Sequence, residues 1–345
     1  FFRKVLKFLD WSLFPKKWCK ELFIKYKPVL VLSTDMITNF DEAHILEYAQ
    51  KTGLPVIASI LSWDNLSGYG KLPISADRVI VWNNIMKKQL LQWHGIFESQ
   101  VYVAGSPQYD IYKNCQNLPS LEQFLETKKL DCNKKLVTYT TAPPTICDTE
   151  DQILEIIVTA LRQNKFKEPF QLLVRLHPKD NIVRYKNLKD AKELVFDQPG
   201  DFNKNFSDNW NPSLDNVNNL LATLKYSDIF INVASTITIE AILFDKPVIN
   251  VAFDGYEHKP AWESVARYYK EYTHYLDIVR TGGVMVAGSA GELIEAINKY
   301  LINPRADEEG RRKIVQEQVS QFDGHASQRV ANFIINYVKS FNYRA

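Results

Sequence analysis

Two short apolar runs in the C-terminal half, separated by the length of one helix, constrain the fold more than any other feature of the sequence. IFINVA (229–234) and VINVAF (248–253) are rich in β-branched residues, as are strands that a sheet buries on both faces. The residues between them have helical spacing, with one face formed by Ala234, Thr238, Ala241 and Ile242. Because two parallel strands need such a crossover, residues 227–254 predict a β–α–β unit.

The start of this helix carries side chains that suit a nucleotide. Ser235 and Thr236 lie where the helix should begin, and Glu240 follows one turn later. Helix N-termini present unpaired N–H groups and a partial positive charge, so this turn suits a phosphate, and the Glu240 carboxylate suits ribose hydroxyls. Serine and threonine are also common helix caps that bind nothing, and glutamate is a good helix former. The residues alone leave both interpretations open.

Length and composition indicate a globular chain of about two domains. It has 345 residues, of which 46% are hydrophobic, enough for two separate cores. A formal net charge of +2 gives no reason to expect nucleic-acid binding. The four cysteines have no C-x-x-C spacing and no histidine at metal-ligand spacing, which favours reduced thiols in a cytoplasmic protein over disulfides or zinc. We expect no metal, and no apolar run is long enough to cross a membrane.

The first 27 residues depart from this neutral average. They contain eight lysines and arginines against Asp10 and Glu21, interleaved with aromatic and leucine side chains. A basic aromatic helix can lie in the headgroup region of an anionic membrane, which would place the protein peripherally on the inner face of the cytoplasmic membrane. The alternative is an ordinary amphipathic helix that packs on the first domain.

Residues 28–130 alternate between short apolar strands and amphipathic helices, the pattern of a Rossmann-like N-terminal domain. We expect strands at 28–34, 55–61, 78–83 and 101–105, and helices at 41–53 and 85–95. Ligands of parallel sheets bind beyond the carboxyl ends of the strands, so the polar loops that follow each run matter most. The longest is SWDNLSGYG (62–70), in which Trp63 or Tyr69 could offer an aromatic face to a ring. A plain surface loop is the alternative.

The alternation resumes after a polar linker at 111–135 that carries one short helix. It predicts a second Rossmann-like domain at residues 134–325 and a C-terminal helical segment at 326–345, for which packing back on the N-terminal domain is one arrangement. The expected strands are 136–144, 170–178, 193–197, 229–234, 248–253 and 283–287. The expected helices are 149–163, 216–226, 261–271, 292–301 and 326–341.

Several motifs together resemble one known group of enzymes. They are RLHP (175–178), ASTITIEAILFDKPVINVAFDG (234–255), SWDNLSGYGKLP (62–73) and DGHASQRVANFI (323–334). The chain resembles bacterial surface-polysaccharide glycosyltransferases of the GT-B fold, near the CDP-glycerol glycerophosphotransferase-like group. The resemblance implies two Rossmann-like, doubly wound α/β domains that face a cleft, with the nucleotide donor on the C-terminal half.

The resemblance also implies roles for particular residues. His177 resembles the histidine that approaches the donor phosphate in CMP- and CDP-donor transferases, although a lone histidine is more often structural. Glu240 resembles the ribose-binding glutamate of GT-B enzymes. The remaining residues expected around the donor are Thr140, Thr141, Arg175, Lys179, Ser235 and Thr236.

An inverting reaction would also need a base that accepts the acceptor's proton. Asp64 is the first choice because it lies in the long strand-end loop, Asp35 and Asp110 are second, and His274 is a further candidate. A retaining reaction would need no such base.

The expected function is transfer of a sugar from a nucleotide-sugar donor to a surface-glycan or lipid-linked acceptor, without a metal or a separate cofactor. Two alternatives are polyol-phosphate transfer of the CDP-glycerol type and sugar-nucleotide epimerisation. A further alternative is a non-catalytic protein that binds nucleotide sugars.

Overall fold

The first sheet consists of four short parallel strands in sequential order. A computed structural model describes residues 17–116, 118–188, 190–199 and 213–342, so most of the basic segment 1–27 lies outside the described residues. The strands are β1 (Val31–Ser33), β2 (Val56–Ser59), β3 (Arg78–Val81) and β4 (Val101–Val103), in the order β1-β2-β3-β4. The accompanying helices are α1 (Lys17–Tyr26), α2 (Phe40–Lys51), α3 (Asn65–Gly68) and α4 (Asn84–Gln89), which continues as a π-helical turn to His94.

The C-terminal helix of the chain covers this first sheet. In a sheet of sequential order, right-handed crossovers lie on one face, so the other face needs a separate cover. Ile57, Ile80 and Ala104 form a buried cluster of the sheet. Against it pack Val330, Phe333, Ile334 and Tyr337 of the C-terminal helix α14 (Ala326–Asn342).

Asp110 fastens the start of this helix. Its Oδ1 accepts the Ala326 N–H at 2.9 Å, and its Oδ2 accepts the Ser327 N–H at 2.7 Å. A carboxylate at a helix N-terminus satisfies otherwise unpaired N–H groups and favours the helix dipole. Asp110, a second choice for the catalytic base, therefore serves as a helix cap in this structure.

The second sheet is a doubly wound Rossmann sheet of six parallel strands. The strands are β5 (Lys135–Thr140), β6 (Phe170–Arg175), β7 (Leu194–Asp197), β8 (Ile229–Asn232), β9 (Val248–Val251) and β10 (Met285–Ala287). Their order is β7-β6-β5-β8-β9-β10, so strands are added outward from β5 in one direction up to β7 and in the other direction from β8 onward. The predicted β–α–β unit is confirmed, because β8 pairs in parallel with β9 through Phe230 and Val248.

Nine α-helices accompany this sheet within the described residues. In chain order they are α5 (Asp110–Lys113), α6 (Leu121–Lys128), α7 (Glu150–Arg162), α8 (Leu214–Tyr226), α9 (Ile237–Leu243), α10 (Arg267–Lys270), α11 (Thr273–Val279), α12 (Ala290–Ile302) and α13 (Glu308–Ile314). The predicted helix at 261–271 is wrong over most of its length. Residues 261–266 form turns instead, in which Asp254 accepts the Val265 N–H at 3.0 Å.

The chain divides into two compact units at other residues than those expected. Of the described residues, the first unit comprises those up to Asp110 and from Gln318 onward, and the second comprises those from Ile111 to Glu317. The segment expected to be a linker at 111–135 belongs to the second unit. The reason is packing, because Phe124 and Leu125 of α6 are buried in one cluster with Leu136, Leu173 and Ala222.

Two further local features concern the polar loops. Trp63 is buried and so does not offer an aromatic face at the surface, whereas Tyr69 is exposed. Ser235 and Thr236 lie at the start of α9 as expected, with Thr236 as the N-cap and Ile237 as the first helical residue. In the described part of the chain, no helix is both long and apolar enough to cross a membrane.

Candidate functional site

The carboxyl ends of β5, β6 and β8 lie side by side, and they define the candidate site. Thr140 is the register partner of Arg175 on one side and of Asn232 on the other. Ligands of doubly wound sheets bind outside such a switch point, between the strands where the order reverses. The Thr140 hydroxyl is buried, and no described residue hydrogen-bonds to it. A buried polar atom of this kind is suited to a ligand or water.

His177 follows β6 and is held in one tautomer. Its backbone N–H donates to Thr141 Oγ1 at 2.8 Å, which joins the loops after β5 and β6. Its Nδ1 accepts the Lys179 N–H at 3.0 Å. Burial first, and then the charge of Lys179, lowers the pKa of His177 to about 4, against the opposing effect of Asp180. The ring is therefore neutral at pH 7, and its one proton is on Nε2.

Arg175 and Lys179, the two basic residues expected around the donor, differ from each other in position. Arg175 is buried, and its Nη1 donates to Asp197 Oδ2 at 2.5 Å and to Asn219 Oδ1 at 3.4 Å. Asp197 Oδ1 also accepts a hydrogen bond from Lys128 Nζ at 2.5 Å. Lys179 is exposed, and it contributes its backbone N–H to His177. Arg175 is thus buried and paired with a carboxylate that it shares with Lys128, whereas the charge of Lys179 lies at the surface.

The turn after β8 has an unusual backbone that two tyrosines support. Ala234 has φ +40°, a left-handed conformation that costs a non-glycine residue about 1 kcal/mol. The Ala234 N–H donates to Tyr269 Oη at 2.7 Å, and Tyr275 Oη donates to the Ser235 carbonyl at 2.9 Å. Ser235 Oγ accepts the Ile237 N–H at 3.3 Å. These contacts fix the turn on which the predicted Ser235 and Thr236 lie.

Glu240 has a defined hydrogen-bond partner on each carboxylate oxygen. Tyr112 Oη donates to Oε2 at 2.8 Å, and Thr236 Oγ1 donates to Oε1 at 3.3 Å. Burial raises the pKa of Glu240, and these two hydrogen bonds and the nearby Arg175 charge oppose that effect. Thr236 and Glu240 are therefore in contact, as their one-turn spacing predicts.

A buried charged cluster lies behind the loops after β5 and β6. Both oxygens of Glu150 accept the Ala142 N–H, at 3.0 and 2.9 Å. Arg184 Nη1 lies 2.6 Å from Asp180 Oδ1 and 3.9 Å from Glu150 Oε2. Burial raises the pKa of Glu150 well above its ordinary value. Because Asp180 also donates its N–H to the His177 carbonyl at 2.8 Å, the cluster connects both loops.

Sequence reasoning missed this cluster and the supporting tyrosines. The signal for Glu150 was its position in the first turn of α7, where it was interpreted only as part of a helix. The signal for Tyr269 and Tyr275 was the aromatic segment around His274. That segment attracted attention for the histidine, whose ring lies 5.8 Å from the Tyr272 ring and 5.2 Å from the Tyr275 ring.

The first unit has its own group of polar residues after β1 and β2. A cavity of about 420 Å³ is lined by Thr38, Tyr69 and Lys71 among others. Burial, followed by the negative charges of Asp64 and Asp35, raises the pKa of Tyr69, so both carboxylates lie near the phenol. Asp35 accepts the Thr38 N–H at 3.1 Å and the Thr38 hydroxyl at 2.5 Å. Asp64 precedes α3 and makes no side-chain capping hydrogen bond.

The described residues were also compared with the requirements of a metal site. Within the ranges that the structure describes, no group of three or more histidine, cysteine, aspartate or glutamate residues is arranged to hold a metal ion.

Comparison with known proteins identifies a family. Residues 69–336, well over half of the chain, match the family model described as CDP-glycerol:poly(glycerophosphate) glycerophosphotransferase. No curated protein sequence matches the chain.

Solved structures show the same fold at low sequence identity. The S. aureus MnaA–UDP complex has a TM-score of 0.62 and 16% identity, over 94% of this chain and 80% of that one. Neisseria meningitidis UDP-GlcNAc 2-epimerase bound to UDP-GlcNAc has a TM-score of 0.63 and 16% identity, over 93% and 80%. The wall teichoic acid polymerase TagF has a TM-score of 0.52 and 14% identity, over 98% of each chain. The predicted fold of two Rossmann-like α/β domains of the GT-B type is confirmed.

Proposed function

Because the chain belongs to the CDP-glycerol:poly(glycerophosphate) glycerophosphotransferase family, we propose that it transfers a polyol phosphate from a CDP-linked donor to an acceptor hydroxyl. The acceptor is a growing surface polymer or its lipid-linked precursor. The sequence alone favoured sugar transfer and kept this reaction as an alternative. The family match favours polyol-phosphate transfer over sugar transfer.

The proposed reaction is a displacement at phosphorus. The acceptor oxygen forms a bond to the β-phosphorus of the donor, and the bond from that phosphorus to the bridging oxygen breaks. CMP leaves with the bonding electron pair, and the acceptor's proton passes to a base. Negative charge grows on the departing phosphate, so N–H and O–H donors already aimed at it lower the barrier.

The family match carries the reaction class, and the fixed tautomer of His177 carries the proposed role of this residue. Its Nδ1 accepts the Lys179 N–H, so its proton is on Nε2, where it can be donated to a phosphate oxygen. A pKa of about 4 keeps this donor neutral at pH 7. A neutral donor is fixed in place before the charge develops, and it does not need to gain a proton. In this proposal Thr140, Thr141 and the turn at 235–236 supply further donors to the diphosphate.

Glu240 is proposed to hold the ribose of the same donor. The residue as a whole is partly exposed, and its carboxylate lies one helical turn from Thr236, beside the proposed phosphate position. Replacement of Glu240 by alanine should weaken nucleotide binding by about 1–3 kcal/mol without unfolding the chain. Unchanged affinity in calorimetry would remove the residue from the site.

Asp64 remains the proposed base in the first unit. Of the two carboxylates near Tyr69, Asp35 already accepts two hydrogen bonds from Thr38. Asp64 has no side-chain capping bond. A carboxylate whose oxygens are less engaged is better able to accept the acceptor's proton.

Product analysis tests the reaction class. The full chain is incubated with CDP-glycerol and, separately, with UDP-, GDP- and CMP-linked sugars, each with a hydroxyl-terminated polymer acceptor. Acceptor-dependent release of CMP from CDP-glycerol is the expected result. Acceptor-dependent turnover of a nucleotide sugar, without CMP release from CDP-glycerol, would establish sugar transfer instead. Interconversion of a nucleotide sugar without any acceptor would establish epimerisation. Binding without turnover would establish the non-catalytic alternative.

A substitution of His177 then tests the mechanism. Because the growing charge is felt most in the transition state, His177→Ala should lower turnover by roughly 10²–10³ and weaken donor binding much less. Thermal stability is measured on the same preparation. A lower melting temperature with near-normal turnover would show that His177 only packs beneath its loop.

A further inference from the structure

The carboxylate of Glu240 is fixed by a residue that lies far away in the sequence. Tyr112 is 128 positions earlier, on the short helix α5, and its hydroxyl donates to Glu240 Oε2 at 2.8 Å. Its ring lies against Phe244, the C-terminal cap of α9, with 6.2 Å between ring centroids. The phenol is therefore fixed both by ring packing and by a hydrogen bond.

The Glu240 carboxylate accepts two hydrogen bonds from the protein and has the capacity to accept two more. Each oxygen of an ionised carboxylate can accept about two hydrogen bonds. Tyr112 occupies one position on Oε2, and Thr236 occupies one on Oε1. Among the hydrogen bonds that the structure gives, each oxygen has a single donor, so each has the capacity to accept one more. Since both oxygens have a donor, rotation of the carboxylate about its terminal bond is restrained before any ligand binds.

Such a restrained carboxylate matches a pair of neighbouring hydroxyls. Two hydroxyls on adjacent ring carbons, on the same side of the ring, can each donate to one oxygen of a single carboxylate. A carboxylate that rotates freely would lose that freedom on binding, so prior restraint strengthens the two-hydroxyl contact. The group in a nucleotide with this geometry is the 2′,3′-diol of ribose.

We propose that Tyr112 makes this site selective for ribonucleotides by holding the Glu240 carboxylate so that it accepts both ribose hydroxyls. Tyr112 is a positioning residue, because it acts through Glu240 and does not touch the reacting atoms. The inference rests on the proposed function, since it takes Glu240 as the ribose ligand.

The test compares CDP with 2′-deoxy-CDP in calorimetry with the full chain. The wild type should bind CDP at least about tenfold more tightly, as expected for loss of a hydrogen bond to a charged group. Tyr112→Phe keeps the ring against Phe244 and removes only the hydroxyl. It should bind CDP about tenfold more weakly than the wild type and 2′-deoxy-CDP almost equally, so that the preference falls to about threefold or less.

Tyr226→Phe is the matched control. Its hydroxyl also donates within the second unit, to the Pro119 carbonyl at 2.6 Å, and it has no contact with Glu240 among those that the structure gives. This variant should keep the wild-type preference. A ribose preference that falls equally in both variants would show a general loss of structure and overturn the inference.

The outcomes separate this inference from the proposed function. If Glu240→Ala loses the preference but Tyr112→Phe keeps it, the role of Tyr112 is refuted and the ribose role of Glu240 stands. If Tyr112→Phe weakens both nucleotides equally, its hydroxyl is only structural, and the inference fails. If the wild type does not distinguish the two nucleotides, the inference fails as well. If Glu240→Ala binds CDP as the wild type does, the proposed donor site itself is wrong.

Discussion

Acid should destabilise the wild-type chain more than a His177→Gln variant, because the fold keeps this imidazole neutral. Burial and the charge of Lys179 lower the pKa of His177 from its ordinary 6.5 to about 4. In the unfolded chain the ring gains a proton near pH 6.5, whereas the folded ring does so only near pH 4. The unfolded state binds more protons between these values, so the free energy of unfolding falls as the pH falls.

The size of this effect follows from the two pKa values. One pKa unit corresponds to about 1.4 kcal/mol, so the whole difference corresponds to roughly 3 kcal/mol of unfolding free energy. The ring is partly exposed, and solvent screening reduces the expected contribution to about 2 kcal/mol. This contribution to the unfolding free energy is nearly complete at pH 7, declines below about pH 6.5 and is lost below about pH 4. Glutamine is a suitable replacement because its amide oxygen can accept the Lys179 N–H and it does not titrate.

Urea unfolding at about pH 7 and about pH 4.5 measures the difference. The wild type should lose about 1.5 kcal/mol more unfolding free energy than the variant between these two values, since part of the contribution is lost only below pH 4.5. Burial also lowers the pKa of His94, but this residue is present in both proteins, so its effect cancels in the comparison. Equal losses in the two proteins would refute the fixed, desolvated tautomer from which the donor role of His177 is argued.

Three further perturbations test other parts of the molecule. Gly310→Ala should destabilise the chain by more than about 2 kcal/mol, because an added Cβ would overlap the backbone of Gly283. Gly291→Ala is the control, since an added Cβ there has no such close neighbour, and it should leave the stability almost unchanged. Melting temperatures of the two variants measure the difference. Asp110→Asn should cost about 1 kcal/mol in urea unfolding and keep turnover, whereas loss of turnover at full stability would make Asp110 the base. Removing residues 1–27 should weaken sedimentation with anionic vesicles, most at low salt, and a full chain that ignores such vesicles would contradict the membrane interpretation.

The strands were predictable because their signal is local. Short apolar runs separated by amphipathic segments specify buried parallel strands, and β8 and β9 fall inside the runs 229–234 and 248–253. The residues that follow such strands must collect at one edge of the sheet, which is why Thr141, His177 and Thr236 were predicted to lie there. Position along a strand is thus enough to predict where a loop lies, although not how its side chains are held.

The supporting contacts were not predictable, because they join residues far apart in the sequence. Asp110 caps a helix 216 positions later, and Tyr112 bonds to Glu240 across 128 positions. No periodicity links such pairs. The helix predicted at 261–271 failed for a related reason: the Asp254 carboxylate pairs with the Val265 N–H and stabilises a turn there. A tertiary contact overrode the local helical pattern.

The electrostatics of the proposed donor site also differ from what its residue types suggest. In the sequence, three basic residues close together suggest a cationic cluster: Arg175, His177 and Lys179. In the structure Arg175 is paired with Asp197, and His177 is neutral. A buried cation that is already paired offers little additional attraction to a ligand, whereas a neutral N–H held in place gives direction without a requirement for charge. The proposed site would therefore bind a diphosphate mainly through oriented neutral donors, with Lys179 at its exposed side as the cation that adds charge.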